Sequence, residues 1–183
     1  MTMGIVGFGQ LGKSVAHTAQ EFGMDVIVSV RPGSDRDGHG DGDGDGDGDG
    51  DGDRVSFDEL LARSDVISLH CPLTDQTRGL FSADAFRKMK STAILINTAR
   101  GALIDSAALA DALESGEVGA AGIDVLPQEP PVRGNPLLDY RGDNLLITPH
   151  VAWGTQRARQ DAIEEVAENV RTFLAGEQRN RVV

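Results

Sequence analysis

Met3-Gly4-Ile5-Val6-Gly7-Phe8-Gly9-Gln10-Leu11-Gly12-Lys13 is the stretch on which the fold turns. An apolar run feeds three glycines spaced G-x-G-x-x-G, and a helical pattern over residues 10–22 then stops at Gly23. Strand, glycine loop and helix, in that order, are what give the spacing a meaning beyond an ordinary turn. Gly7 permits the tight turn, Gly9 lets backbone come close to a pyrophosphate, and Gly12 lets the helix pack closely on the strand. The first amides of the helix then face the anion.

Working outward, apolar runs at residues 26–30, 66–69, 93–96, 119–123 and 145–147 read as further strands. Between them lie helical patterns. Ser56-Phe57-Asp58-Glu59 has capping-box spacing and opens one to about residue 63. Others run over 82–89 and over 106–115, the latter closed by Gly116. The last, over about 155–174, sets Ile163, Val166, Ala167, Val170, Phe173 and Leu174 on one stripe. Strands alternating with helices predict an α/β protein with a parallel sheet covered on both faces. Six strands with a glycine loop after the first predict one Rossmann-type doubly wound domain over residues 1–183.

An Asp-Gly-rich insert at 34–54 interrupts the pattern, in strict alternation from 41 to 53. Such a tract buries no apolar surface and is expected to be disordered. Its D-x-D-x-D-G spelling imitates a calcium loop but has no bidentate Glu at the required position, so no metal site is expected. The 183-residue chain carries a net charge of -12, of which residues 34–53 supply -8. That balance argues against nucleic acid, which needs a basic face. No apolar run is long enough to span a bilayer. The lone Cys71 makes no internal disulfide, so a reducing cytoplasm is the default. With no base beside it in sequence, Cys71 reads as packing and not as a nucleophile. An NAD site expects an acidic residue about 20 residues beyond the glycine loop, at the end of the second strand. Ser29-Val30-Arg31-Pro32 stands there instead, and Arg31 can pair with a 2′-phosphate. NADP is therefore the preferred cofactor and NAD the alternative.

The chain resembles the D-isomer-specific 2-hydroxyacid dehydrogenases, nearest the glycerate dehydrogenase/hydroxypyruvate reductase branch. The resemblance lies in Gly4-Ile5-Val6-Gly7-Phe8-Gly9, Ser68-Leu69-His70-Cys71-Pro72-Leu73-Thr74 and Ile96-Asn97-Thr98-Ala99-Arg100-Gly101. It continues through Gly122-Ile123-Asp124-Val125, Glu129-Pro130 and Thr148-Pro149-His150, with Trp153 soon after. It implies hydride transfer between NAD(P)H and a small 2-keto or 2-hydroxy acid such as hydroxypyruvate or glyoxylate. By matching motif, Arg100 would bind the substrate carboxylate and keto oxygen, and its guanidinium suits a bidentate carboxylate. His150 would move the proton, with Glu129 holding the imidazole and raising its pKa. The same resemblance implies cofactor contacts at Gly9, Gln10, Leu11, Arg31, Cys71, Pro72, Thr77, Thr98 and Asp124. It also implies a homodimer, since family members usually pair through this domain. The family builds most of its substrate domain from chain ahead of the first nucleotide-binding strand, and here that strand starts near Met1. What is expected is the nucleotide-binding domain without most of the substrate domain. Two rival readings stay open: a non-catalytic dinucleotide-binding module, and an interaction subunit using the last helix and Trp153.

Overall fold

Alternate residues of the first two strands face opposite ways, and that alternation builds the core. The computed structural model describes residues 1–30 and 53–180. Ile5, Val26 and Val28 pack on Ala16 and Ala19 of helix α1 (Gln10–Glu21). Val6 and Ile27 point the other way, into a cluster with Leu60, Leu61, Ile67, Leu69, Phe81 and Phe86. This period of two buries both faces of the sheet, as parallel sheets require. The strands are β1 (Thr2–Val6), β2 (Asp25–Ser29), β3 (Asp53–Val55), β4 (Val66–Leu69), β5 (Ile94–Asn97), β6 (Ala120–Ile123) and β7 (Leu145–Ile147). They are all parallel, in the order β3-β2-β1-β4-β5-β6-β7. The Rossmann-type expectation is met.

The remaining helices are α2 (Phe57–Arg63), α3 (Ala83–Lys88), α4 (Ser106–Ser115), α5 (Pro136–Asp139) and α6 (Gln156–Leu174). Ser56 caps α2 by accepting from the Glu59 amide at 3.2 Å. The reciprocal half of the capping box is replaced by a Glu59–Arg63 ion pair of 2.6 Å. Gly116 ends α4 in the left-handed conformation, φ 76°.

Two points differ from the sequence expectation. A seventh strand, β3, takes in Asp53 and Arg54, which the sequence reading assigns to the insert; its amide and carbonyl groups are drawn into pairing by β2. The rest of that insert lies outside the described residues. Helix α5 was missed, although Asn135 at its cap and Pro136 at its first position are a start signal. By its contacts the chain divides into two compact units, Met1–Pro149 and His150–Val183. The second unit is a short turn leading into α6, capped by Thr155, whose hydroxyl accepts from the Ala158 amide at 3.1 Å.

Candidate functional site

The strand order reverses between β1 and β4, and in open parallel sheets that switch point, at the C-terminal ends of the strands, is where a ligand is expected. The glycine loop forms one wall. Gly7 has φ 96°, and a Cβ on it would lie 2.4 Å from the Cys71 amide nitrogen. A Cβ on Gly12 would meet the Gly7 carbonyl oxygen at 2.2 Å, so the helix sits against the turn only because Gly12 has no side chain. Gly9 is the opposite case: a Cβ there would meet nothing within 4 Å. It is the N-cap of α1 and no side chain caps that helix, so its first amides are available to an outside anion. Gln10 and Leu11 are exposed on this first turn.

The facing wall follows β4. The His70 amide donates to the Val6 carbonyl at 2.7 Å, which fixes the turn beside the glycine loop. The His70 ring is bonded to the Ser68 hydroxyl at 2.9 Å, and burial pushes its pKa below the ordinary value. Burial pushes the Cys71 thiol up, so Cys71 is a packed neutral thiol, as its sequence context suggested. Thr77 is buried and donates to the Pro72 carbonyl at 2.7 Å while accepting from the Thr74 amide at 2.8 Å. It fastens the turn that carries Pro72.

Beyond β5, Thr98 and Arg100 are exposed on one short loop. Asn97, fully buried at the strand end, organises it: its amide donates to the Arg100 carbonyl at 3.0 Å and its oxygen accepts from the Ala99 amide at 3.0 Å. Gly101 lets this loop press on the next, because a Cβ there would lie 2.0 Å from the Leu126 carbonyl carbon. That contact sets the Arg100 loop against the Leu126–Glu129 loop, where Glu129 accepts from the Leu126 amide at 2.7 Å. Asp124, buried at the end of β6, accepts from the Thr148 hydroxyl at 2.5 Å and so ties β6 to the segment leaving β7. Arg100 and Glu129 thus lie on touching loops of the first unit. His150 opens the second unit and is described within it: its φ is 54°, left-handed and uncommon for a histidine. The Trp153 indole donates to the His150 carbonyl at 2.9 Å, closing a turn on that residue.

Arg31 lies outside the described residues. Among those described, no group of three or more His, Cys, Asp or Glu side chains could hold a metal, and no helix is long and apolar enough to cross a membrane. Sequence reasoning missed the parts of Asn97 and Thr148. A polar residue closing a buried strand, as Asn97 closes Ile94-Leu95-Ile96, was the signal for the first. It also leaves Trp153 open between two roles.

The family model described as D-isomer specific 2-hydroxyacid dehydrogenase, NAD binding domain, matches residues 1–152. A glycerate dehydrogenase of Methylorubrum extorquens is 44% identical over 182 residues, covering 99% of this chain and 52% of that protein. A hydroxypyruvate reductase of Blautia hydrogenotrophica is 38% identical, covering 95% of this chain and 50% of that one. The crystal structure of the TT0316 protein from Thermus thermophilus superposes with a TM-score of 0.80 at 37% identity, over 100% of this chain and 54% of that one. The chain spans about half the length of these relatives.

Proposed function

The chain belongs to the D-isomer specific 2-hydroxyacid dehydrogenase family, and on that premise we propose that it reduces a small 2-keto acid, hydroxypyruvate or glyoxylate, with NADPH. The observation that carries the reading is the glycine loop at the switch point between β1 and β4. Gly7 and Gly12 hold the loop closed upon itself, while Gly9 leaves open space before an uncapped helix start. Those features fit a pyrophosphate. A bound reduced nicotinamide supplies the hydride. Cys71, Pro72 and Thr77 shape the wall against it, and Thr98 and Asp124 bound it beyond β5 and β6.

In this proposal Arg100 grips the carboxylate and polarises the keto oxygen, since a guanidinium stays charged at any working pH. Its freedom to do so depends on Asn97, which fixes the backbone on either side of Ala99. His150 delivers a proton to the oxygen as the carbon is reduced, and Glu129 is the carboxylate assigned to serve that imidazole. Preference for NADPH rests on the end of β2, where Val30 offers a ribose no acidic acceptor and Arg31 follows. Two copies pair through this domain, which sedimentation velocity would reveal as a species of twice the chain mass.

The test is steady-state reduction of hydroxypyruvate and glyoxylate by purified chain with NADPH and with NADH. The proposal expects turnover with a higher kcat/KM for NADPH. Arg100→Gln should lower kcat/KM for the keto acid by about a hundredfold while leaving NADPH affinity within about twofold. Equal activity of that variant would remove Arg100 from the mechanism. Cofactor binding without any turnover would favour the non-catalytic dinucleotide module.

A further inference from the structure

The Phe8 side chain, between the first two glycines of the loop, carries two cations. The Arg54 guanidinium carbon lies 5.3 Å from its ring centre and the Lys13 ammonium 5.9 Å. Both distances are within cation–π range. Lys13 comes from the first turns of α1, where its amide donates to the Gly9 carbonyl. Arg54 comes from β3, opposite Val28 in the parallel register. Among the described residues neither cation is paired with a carboxylate. Each ring contact holds a positive charge beside the glycine loop, and two such charges near one ring favour an anion added beside them.

The position says which anion. The Val30 amide donates to the Val55 carbonyl at 3.0 Å, so Arg54 stands next to the residue that pins the end of β2. A dinucleotide laid along the glycine loop presents its adenosine ribose there. Among the described residues at that end, the Ser29 hydroxyl donates to the Val30 carbonyl at 2.8 Å and Val30 is apolar, so neither offers an acidic acceptor to a free diol. We propose that Lys13 and Arg54, gathered by the Phe8 ring, form a phosphate clamp that selects a 2′-phosphorylated dinucleotide over its unphosphorylated counterpart. This inference rests on the dinucleotide reading above and assigns the discrimination to two residues outside the β2 end itself. The ring holds both long side chains near their working position, so less side-chain entropy is lost when the phosphate arrives.

The experiment is a fluorescence titration of the full chain with NADPH, NADH and adenosine 2′,5′-bisphosphate, at one ionic strength. Wild type is compared with Arg54→Gln, Lys13→Gln and Arg54→Lys, with circular dichroism confirming that each variant is folded. Arg54→Gln should weaken NADPH and the bisphosphate by about tenfold and NADH by less than about twofold, the loss expected for one charged hydrogen bond. Lys13→Gln should act in the same direction, and Arg54→Lys should retain most of the affinity. Equal weakening of NADPH and NADH would overturn the clamp by making the pair a general phosphate or structural contact, and unchanged affinities would overturn it outright. A wild type that binds neither nucleotide would instead bring down the dinucleotide reading, and the clamp with it.

Discussion

Gly9 and Gly12 sit three residues apart, and the space around them gives opposite predictions for the same substitution. A methyl at Gly12 would strike the Gly7 carbonyl oxygen at 2.2 Å, so Gly12→Ala should cost about 2 kcal/mol of stability, seen as a lower urea midpoint. Gly9→Ala meets nothing and should stay within about 0.5 kcal/mol of wild type, yet weaken NADPH because the methyl fills the ligand's approach. Equal stability losses would contradict these separate roles. His70 gives a pH prediction. Burial holds its pKa below the ordinary 6.5, so the unfolded chain binds the proton first and wild type loses stability as pH falls from 6.5 through the folded value. His70→Gln lacks that slope, so the stability gap between the two proteins should shrink on acidification in urea melts from pH 8 to pH 5. A gap independent of pH would place the ring in an environment no different from that of the unfolded chain. At this scale the sequence was most legible in the glycine loop, where Gly7 and Gly12 sit in the close contacts that their spacing predicts. It was least legible where a side chain serves the backbone, as Asn97 does for Arg100 and Trp153 for His150.

Elements were readable where the buried face is periodic. β1, β2 and β4 declare themselves by apolar runs, as strands buried on both faces do, and α4 by the Gly116 that ends it. Asp105 accepts from the Ala107 and Ala108 amides, so Asp105→Ala should lower stability by about 1 kcal/mol in thermal melts. No change would mean that water serves those amides equally well. β3 was not readable because pairing with β2, not its own composition, makes it a strand: two of its three residues are exposed and charged. α5 is only four residues long, too short for any period to emerge, and is set by Asn135 and Pro136 alone. α6 was readable as a helix from its stripe, but Ile163, Val166, Val170, Phe173 and Leu174 are exposed in the structure. A stripe tells which residues share a face and nothing about what covers that face.

For the molecule as a whole, the doubly wound sheet followed from element order, while the division at Pro149 left no mark in composition. Charge adds a prediction at this scale. Residues 34–53 carry -8 of the net charge of -12, and a dinucleotide is itself anionic. NADPH affinity should therefore rise between about 0.05 M and about 0.5 M salt as screening shortens the Debye length, opposite to the trend for a basic site. A falling affinity would show that the local field of Lys13 and Arg54 outweighs the tract. The proposed dehydrogenase reaction is tested most directly by following NADPH absorbance on adding hydroxypyruvate to wild type and to His150→Ala. Wild type should oxidise NADPH and the variant should not, with cofactor affinity preserved. Oxidation that persists in His150→Ala, or bound NADPH that wild type never oxidises, would contradict it.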